Sequence, residues 1–205
     1  NQFSIEINPY INHIQNYIYL KPVGFETTIR GAFPVWEYQH TNARLIGVDL
    51  QTQWKINKSW QHSFAMAYVK GDDLTENQPL IDMPPLNLYN KLSFSRKEWQ
   101  ELTLELKSEI VTKQNQYANN NFSTNIINGN ELQAVVVDIS TPPPAYHLLH
   151  FYSEMKLNTF KKINTTVAFS IQNIFNVSYR DYLNRQRFFA DEIGRSFQIQ
   201  LKFNY

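Results

Sequence analysis

The stretch "GRSFQIQLKFNY" (194–205) decides how the rest of the chain is read. From position 197 the odd residues are all apolar: Phe197, Ile199, Leu201, Phe203 and Tyr205. The even residues are all polar: Ser196, Gln198, Gln200, Lys202 and Asn204. A period of two is the mark of a strand with two unlike faces. In water a long, unblunted edge strand invites aggregation through its bare N–H and C=O groups. This strand therefore pairs to close a ring, or its apolar face meets something other than water.

Composition narrows the choice. The 205 residues suffice for one large all-β domain or two small ones. Nineteen basic against 18 acidic side chains leave a net charge of +1. That balance supplies no basic patch, so nucleic acid is not an expected partner. Aromatic residues make up 15% of the chain, a high share. Mean hydropathy is −0.45 and no run of 18 apolar residues exists, so a transmembrane helix is not expected. A transmembrane barrel is compatible with negative hydropathy, because its strands turn every second residue inward. The absence of cysteine excludes disulfides, thiolate metal sites and cysteine nucleophiles. The chain has no start Met and no signal peptide and is expected to be a piece of a longer protein.

Alternation recurs from end to end. Phe3, Ile5, Ile7 and Ile11 begin a first strand that continues through 14–20. Further alternating stretches cover 43–56, 60–70, 86–95, 101–110, 146–157 and 163–175, making eight strands with the last. In 101–110 Leu102, Leu104, Leu106 and Ile110 oppose Glu101, Thr103, Glu105, Lys107 and Glu109. No stretch has a convincing helical period. Soluble strands are mostly about 5–6 residues long, whereas tilted membrane-crossing strands need about 9–11. Most of these run to nine or more.

Connections alternate in length. "NKS", "SRKE" and "NTFKK" are short; 21–40, 71–84, 112–145 and 176–195 are expected to be long loops. Brief turns on one side and large loops on the other are the pattern of an outer-membrane barrel. The order places Tyr205 on the short-turn, periplasmic side. Trp54, Trp60, Phe94, Trp99, Phe203 and Tyr205 gather near the short turns, where an aromatic girdle belongs.

These residues resemble a family. "IQNIFNVSYRDYLNRQRFFADEIGRSFQIQLKFNY" (171–205) resembles the C-terminal end of TonB-dependent outer-membrane receptors. The matching residues are Asn173, Ile174, Phe175, Tyr179, Gly194, Arg195 and Tyr205. "NHIQNYIYL" (12–20) and "TNARLIGVDLQTQW" (41–54) resemble two earlier strands of such barrels. The resemblance implies an all-β, antiparallel up-and-down meander, with 1–205 as the last third of a barrel of about 22 strands. It implies an outer-membrane location and TonB-dependent uptake of a scarce nutrient such as a metal chelate. The implied partners are outer-membrane lipid, the earlier strands and plug domain, the TonB energy-coupling complex acting through an N-terminal region not matched here, and the outer-membrane assembly machinery. Phe197, Ile199, Leu201, Phe203 and Tyr205 then serve as assembly signal and barrel-closing strand. No enzymatic activity, cofactor or resident metal is implied.

Other candidates weigh less. His147 and His150 lie three apart on a strand and so point to opposite faces, which excludes joint chelation. His13 and His62 are scattered; His40, beside a long loop, is a weak candidate for touching a metal-bearing substrate. Asp138, Ser140 and His147 lack a nucleophile-elbow glycine pattern, and Pro142, Pro143 and Pro144 intervene. Glu101, Glu105 and Glu109 are expected to line a wet interior and pair with Lys or Arg of neighbouring strands. Arg180, Arg185 and Arg187 suggest an anion site, but a loop stiffened by Asp181–Arg contacts and tyrosine packing is the better account. Two alternatives remain: a self-contained eight-stranded outer-membrane barrel with an anchor or adhesion role, and a soluble lipocalin-like binder.

Overall fold

The computed structural model describes residues 2–29, 31–128, 131–160 and 163–204. Two very long strands open the chain, β1 (Phe3–Thr28) and β2 (Gly31–Lys55). Next come β3 (Trp60–Asp73), a two-residue β4 (Gln78–Pro79), β5 (Asn87–Arg96) and β6 (Leu102–Val111). A separate hairpin, β7 (Phe122–Asn128) and β8 (Glu131–Val137), precedes β9 (Tyr146–Phe160) and β10 (Ile163–Gln172). A single 3-10 turn at Arg185–Phe188 leads to β11 (Ser196–Asn204).

The main sheet runs β1-β2-β3-β5-β6-β9-β10-β11, with every neighbouring pair antiparallel. These are the eight expected strands, joined as a meander. β1 and β11 stand at its two edges and, among the described residues, do not pair with each other. Tyr205 lies outside the described residues.

Register explains the two faces. Directly opposed residues share a face, so one row, apolar except at His62, reads Phe3, Trp54, His62, Leu92, Leu106, Phe151, Ile171 and Phe197 across the whole sheet. Along β11 the same face carries Phe197, Ile199, Leu201 and Phe203, all more than half exposed. Soluble monomers rarely leave so wide an apolar surface bare. On β2 the apolar face runs from Trp54 to Ile46 and ends at Arg44, which pairs with Asp72 at 2.8 Å. The ten steps from Trp54 to Arg44 span about 33 Å of strand, or about 23 Å of height at a ~45° tilt. An outward apolar band about 25 Å tall is what a transmembrane barrel requires. On this face Ser108 and His147 hydrogen-bond to each other at 2.8 Å.

The aromatic girdle forms at the short-turn end. Trp60 and Phe94 rings lie 5.0 Å apart, Phe94 and Trp99 5.9 Å, and Arg96 sits 4.9 Å over Trp99.

Dense packing occurs at the opposite rim. Leu80, Val111, Ala118, Ile139, Leu148 and Tyr182 are buried there, together with Asp73, Gln114, Ser140 and Arg187. The core of this chain is therefore the body made by its long loops, while the sheet itself is a wall with two open faces.

Several loop expectations are corrected. Most of 21–40 is strand, paired as far as Thr28 and Gly31. Register shifts at Ile14/Tyr17 and Pro22/Gly24, with Asn16 at φ 55°, break the alternation that would have revealed it. The 112–145 loop contains the β7–β8 hairpin. The strand expected to reach 175 stops at Gln172, because Asn173 turns left-handed at φ 50°. Phe175 thus leaves the strand pattern and is 70% exposed.

Candidate functional site

The polar face of the sheet is built by the alternate residues of the same strands. β5, β6 and β9 place Lys91, Lys107 and His150 in one cross-strand row, with Tyr89 and Glu109 in the next. Lys91 Nζ reaches Glu105 at 3.1 Å, which also accepts from Ser93 Oγ at 3.2 Å. Lys107 Nζ lies 3.2 Å from Glu109 and 4.6 Å over the Tyr89 ring. His150 Nε2 stands 3.7 Å from the Glu109 carboxylate. At the short-turn end Lys156 donates to Glu101 at 2.5 Å. The three glutamates of 101–110 thus do meet lysines on this face, although Lys107 belongs to the same strand as Glu109. A groove of about 520 Å³ runs over this face past Lys107, His150, Tyr152, Gln172 and Gln198. Half-exposed pairs of this kind stabilise by only ~0–1 kcal/mol each. Their consequence is chemical: a wet, charge-balanced wall suited to hydrophilic contacts.

Above it the long loops lock together. Asp73, 1% exposed, ends β3. Its Oδ1 accepts from Thr41 Oγ1 and from the backbone N–H groups of Thr75 and Glu76, the latter two at 2.9 Å. Burial alone would raise its pKa, but these donors hold the carboxyl below its usual range. Burial, then the Asp73 charge, push the Tyr19 hydroxyl up to about 12. Gln114 donates to Met83 and Pro84 carbonyls at 2.8 and 3.3 Å. Asn121 Oδ1 accepts from Ile139 and Ser140 N–H, and Ser140 Oγ from Asn120 N–H at 2.7 Å. Asp138 Oδ1 accepts from Ser140 and Thr141 N–H. His147 bonds Ser108 instead, so Asp138, Ser140 and His147 form no relay.

The terminal motif closes its loop by the ends. Asn173, 2% exposed, exchanges two hydrogen bonds of 2.8 Å with the backbone of Val177. Asn176, at φ 54°, accepts from Arg195 N–H at 2.9 Å. A Cβ on Gly194 would come 2.7 Å from that same Asn176 Oδ1, so any larger residue would have to push the Asn176 side chain aside. Tyr179 accepts Glu192 N–H on its carbonyl and sets its ring 4.5 Å from that of Tyr146, tilted by 45°. The structure thus brings Asn173, Tyr179, Gly194 and Arg195 to one clamp and leaves Phe175 outside it. Asn176, the clamp's centre, was missed by sequence reasoning; its signal is an Asn three residues after another Asn.

The arginines separate. Arg180 pairs with Asp191 at 2.6 Å, and Arg185 with Asp82 at 3.0 Å while lying 4.5 Å over Trp36. Asp181 bonds Tyr146 Oη at 2.9 Å and caps Leu183 N–H, so the stiffening acids are Asp191 and Asp82 rather than Asp181. Arg187 has no acidic partner among the described residues. It is 6% exposed, with Phe188 and Tyr182 rings at 4.4 and 4.8 Å. Among the described residues no group of His, Asp and Glu is arranged to hold a metal ion, and His40 belongs to β2.

No family model matches this sequence, and no curated protein matches it. Solved structures do. The chain is similar to the copper transporter OprC at 16% identity and a TM-score of 0.74, over 98% of this chain and 28% of that one. It is similar to the ferripyoverdine receptor of the outer membrane of Pseudomonas aeruginosa at 13% identity and a TM-score of 0.58, over 97% of this chain and 24% of that one. The FpvAI–pyocin S2 complex gives the same identity and score, over 97% and 25%. The chain therefore spans about a quarter of these solved structures, and its fold, an antiparallel meander, is similar to part of TonB-dependent receptor barrels.

Proposed function

We propose that residues 1–205 are the C-terminal barrel segment of a TonB-dependent outer-membrane receptor that imports a scarce nutrient such as a metal chelate. The observation that carries this is the outward apolar band, about 23 Å tall, on a meander whose long loops all pack at one rim. In lipid every backbone polar group must be paired within the protein, so only closed rings of strands survive. The open edges of β1 and β11 favour membership of a larger ring over a self-contained eight-stranded barrel or a lipocalin-like one. The outward side chains Phe197, Ile199, Leu201 and Phe203 contact lipid, and the strand that carries them is the one the outer-membrane assembly machinery reads. Asn173, Tyr179, Gly194 and Arg195 set the direction from which that strand enters the membrane. The inner face offers Lys, Glu and Gln contacts to a plug domain, which the TonB complex would remodel from the N-terminal side. The wall binds and shapes; it performs no covalent chemistry.

The test is uptake by cells expressing the full-length protein as their sole receptor, supplied with iron or copper chelates at limiting concentration. Uptake that disappears when TonB is deleted supports the proposal. Uptake that continues unchanged without TonB, or a protein that stays folded and monodisperse in buffer with no amphiphile, overturns it.

A further inference from the structure

Arg187 is a buried cation that meets the Tyr182 and Phe188 rings but no acid among the described residues. A buried guanidinium is costly unless paired, and a single missing partner leaves the whole desolvation penalty in place. Asp191 and Asp82 are committed to Arg180 and Arg185. Asp138, the nearby carboxylate, spends Oδ1 on two backbone N–H groups. Arg187 Nη1 has only the carbonyl of Asn184, at 3.4 Å, and Nε has no partner at all among the described residues. A second observation points to a ligand. Arg187 lines a closed-in cavity of about 280 Å³, with Trp36, Val137, Asp138, Arg185 and Phe188 among its walls. The walls are mostly apolar and aromatic; of the two arginines among them Arg185 is already paired with Asp82, which leaves Arg187 as the lining cation without an acidic partner among the described residues. Ordinary small-molecule sites begin near ~300 Å³ and combine apolar walls with a few placed polar groups.

We infer that this cavity, between the outer part of β2, the segment after β8 and the 3-10 turn, binds a small flat organic anion. Its ring lies against Trp36 and Phe188, and its carboxylate meets Arg187. An aromatic carboxylate of benzoate size fits the volume, the wall chemistry and the charge. Arginine presents a planar donor fork that matches a carboxylate. The site goes beyond the proposed transport role and holds whether or not that role is correct.

The test is calorimetric titration of the full-length protein in detergent with benzoate, benzamide and sulfate. Benzoate is expected to bind saturably and at least tenfold more tightly than benzamide, which has the ring without the charge, or sulfate, which has charge without the ring. Arg187→Gln is expected to abolish binding. Val137→Trp, which fills the cavity and leaves Arg187 in place, is expected to abolish it too, and cooperative unfolding confirms that each variant is folded. Absence of benzoate binding, equal affinity for benzamide or sulfate, or full binding by either folded variant overturns the assignment.

Discussion

Replacing Leu201 by arginine tests which face of the sheet meets hydrocarbon. Leu201 is the third of four outward residues on β11, stands opposite Val167 and is 55% exposed. From Phe197 to Phe203 the strand climbs about 14 Å of membrane height at ~3.3 Å per residue and a ~45° tilt. Leu201 therefore sits about 5 Å above the inner end and about 9 Å below the outer one, well inside the apolar band. A lipid-facing arginine near the midplane costs about 2–4 kcal/mol, falling to about 0–1 near the interface. Leu201→Arg should shift the folding equilibrium by roughly 30- to 900-fold, since 1.4 kcal/mol is a factor of ten. Phe203→Arg, nearer the girdle, should suffer a smaller charge penalty. Gln200→Arg, opposite Ala168 on the inner face, should change stability by less than about 1 kcal/mol. The assay is urea unfolding of protein refolded into phospholipid vesicles, followed by tryptophan fluorescence. If Gln200→Arg costs as much as Leu201→Arg, the faces are assigned the wrong way round.

Three further outcomes follow from particular contacts. Gly47→Ala should destabilise by about 1–3 kcal/mol, the usual range for overpacking. Its new methyl would lie 2.3 Å from the end of Tyr10 and 2.7 Å from the Tyr68 carbonyl; Tyr10→Ala should rescue it only in part, because the carbonyl stays, and full rescue in the same unfolding assay contradicts this. Gln100→Gly should stabilise by up to about 1 kcal/mol, because Gln100 and Glu101 both hold left-handed φ, at 56° and 53°, in a short turn; a loss measured by urea midpoint refutes it. The pH effect comes from Asp73. Its carboxyl is held below the ordinary value, so its contribution is complete above about pH 4 and is lost only as pH falls through the folded pKa. Hydrogen-exchange protection of Thr75 and Glu76 N–H, corrected for intrinsic rate, should stay flat from neutrality to about pH 4 and drop below it; a drop at neutral pH, or none in acid, disproves the lock.

The eight wall strands were legible because an apolar face backed by a polar one imposes a strict period of two. Wherever that contrast ends, the pattern ends. Above the level of Arg44 the two faces of β1 and β2 are no longer unlike, so the sequence there carries mixed polar and aromatic residues, and 21–40 reads as loop although most of it is paired strand. The β7–β8 hairpin went unseen because its sequence has no apolar–polar alternation: Ile126 and Ile127 are adjacent, as are Val135, Val136 and Val137. Glu105 and Lys91 were foreseeable partners, since their faces follow from alternation alone. Arg180, Arg185 and Arg187 were not separable by sequence. Their acids, Asp191 and Asp82, come from different stretches of loop, and Arg187 is distinguished only by lacking one.

By itself the sequence determined the eight strands of the main sheet, the outward and inward sets of side chains, the alternation of short and long connections after β2 and the motif at the last loop. Those features are local: each depends on residue type at a spacing of two, or on a few residues in a row. The packing of the loop body, the Asn173–Asn176–Gly194 clamp, the Asp73 lock and the bare Arg187 were decided only by tertiary structure. They join residues tens of positions apart, and no local periodicity encodes which of several equivalent polar groups will find a partner when the loops close over the rim.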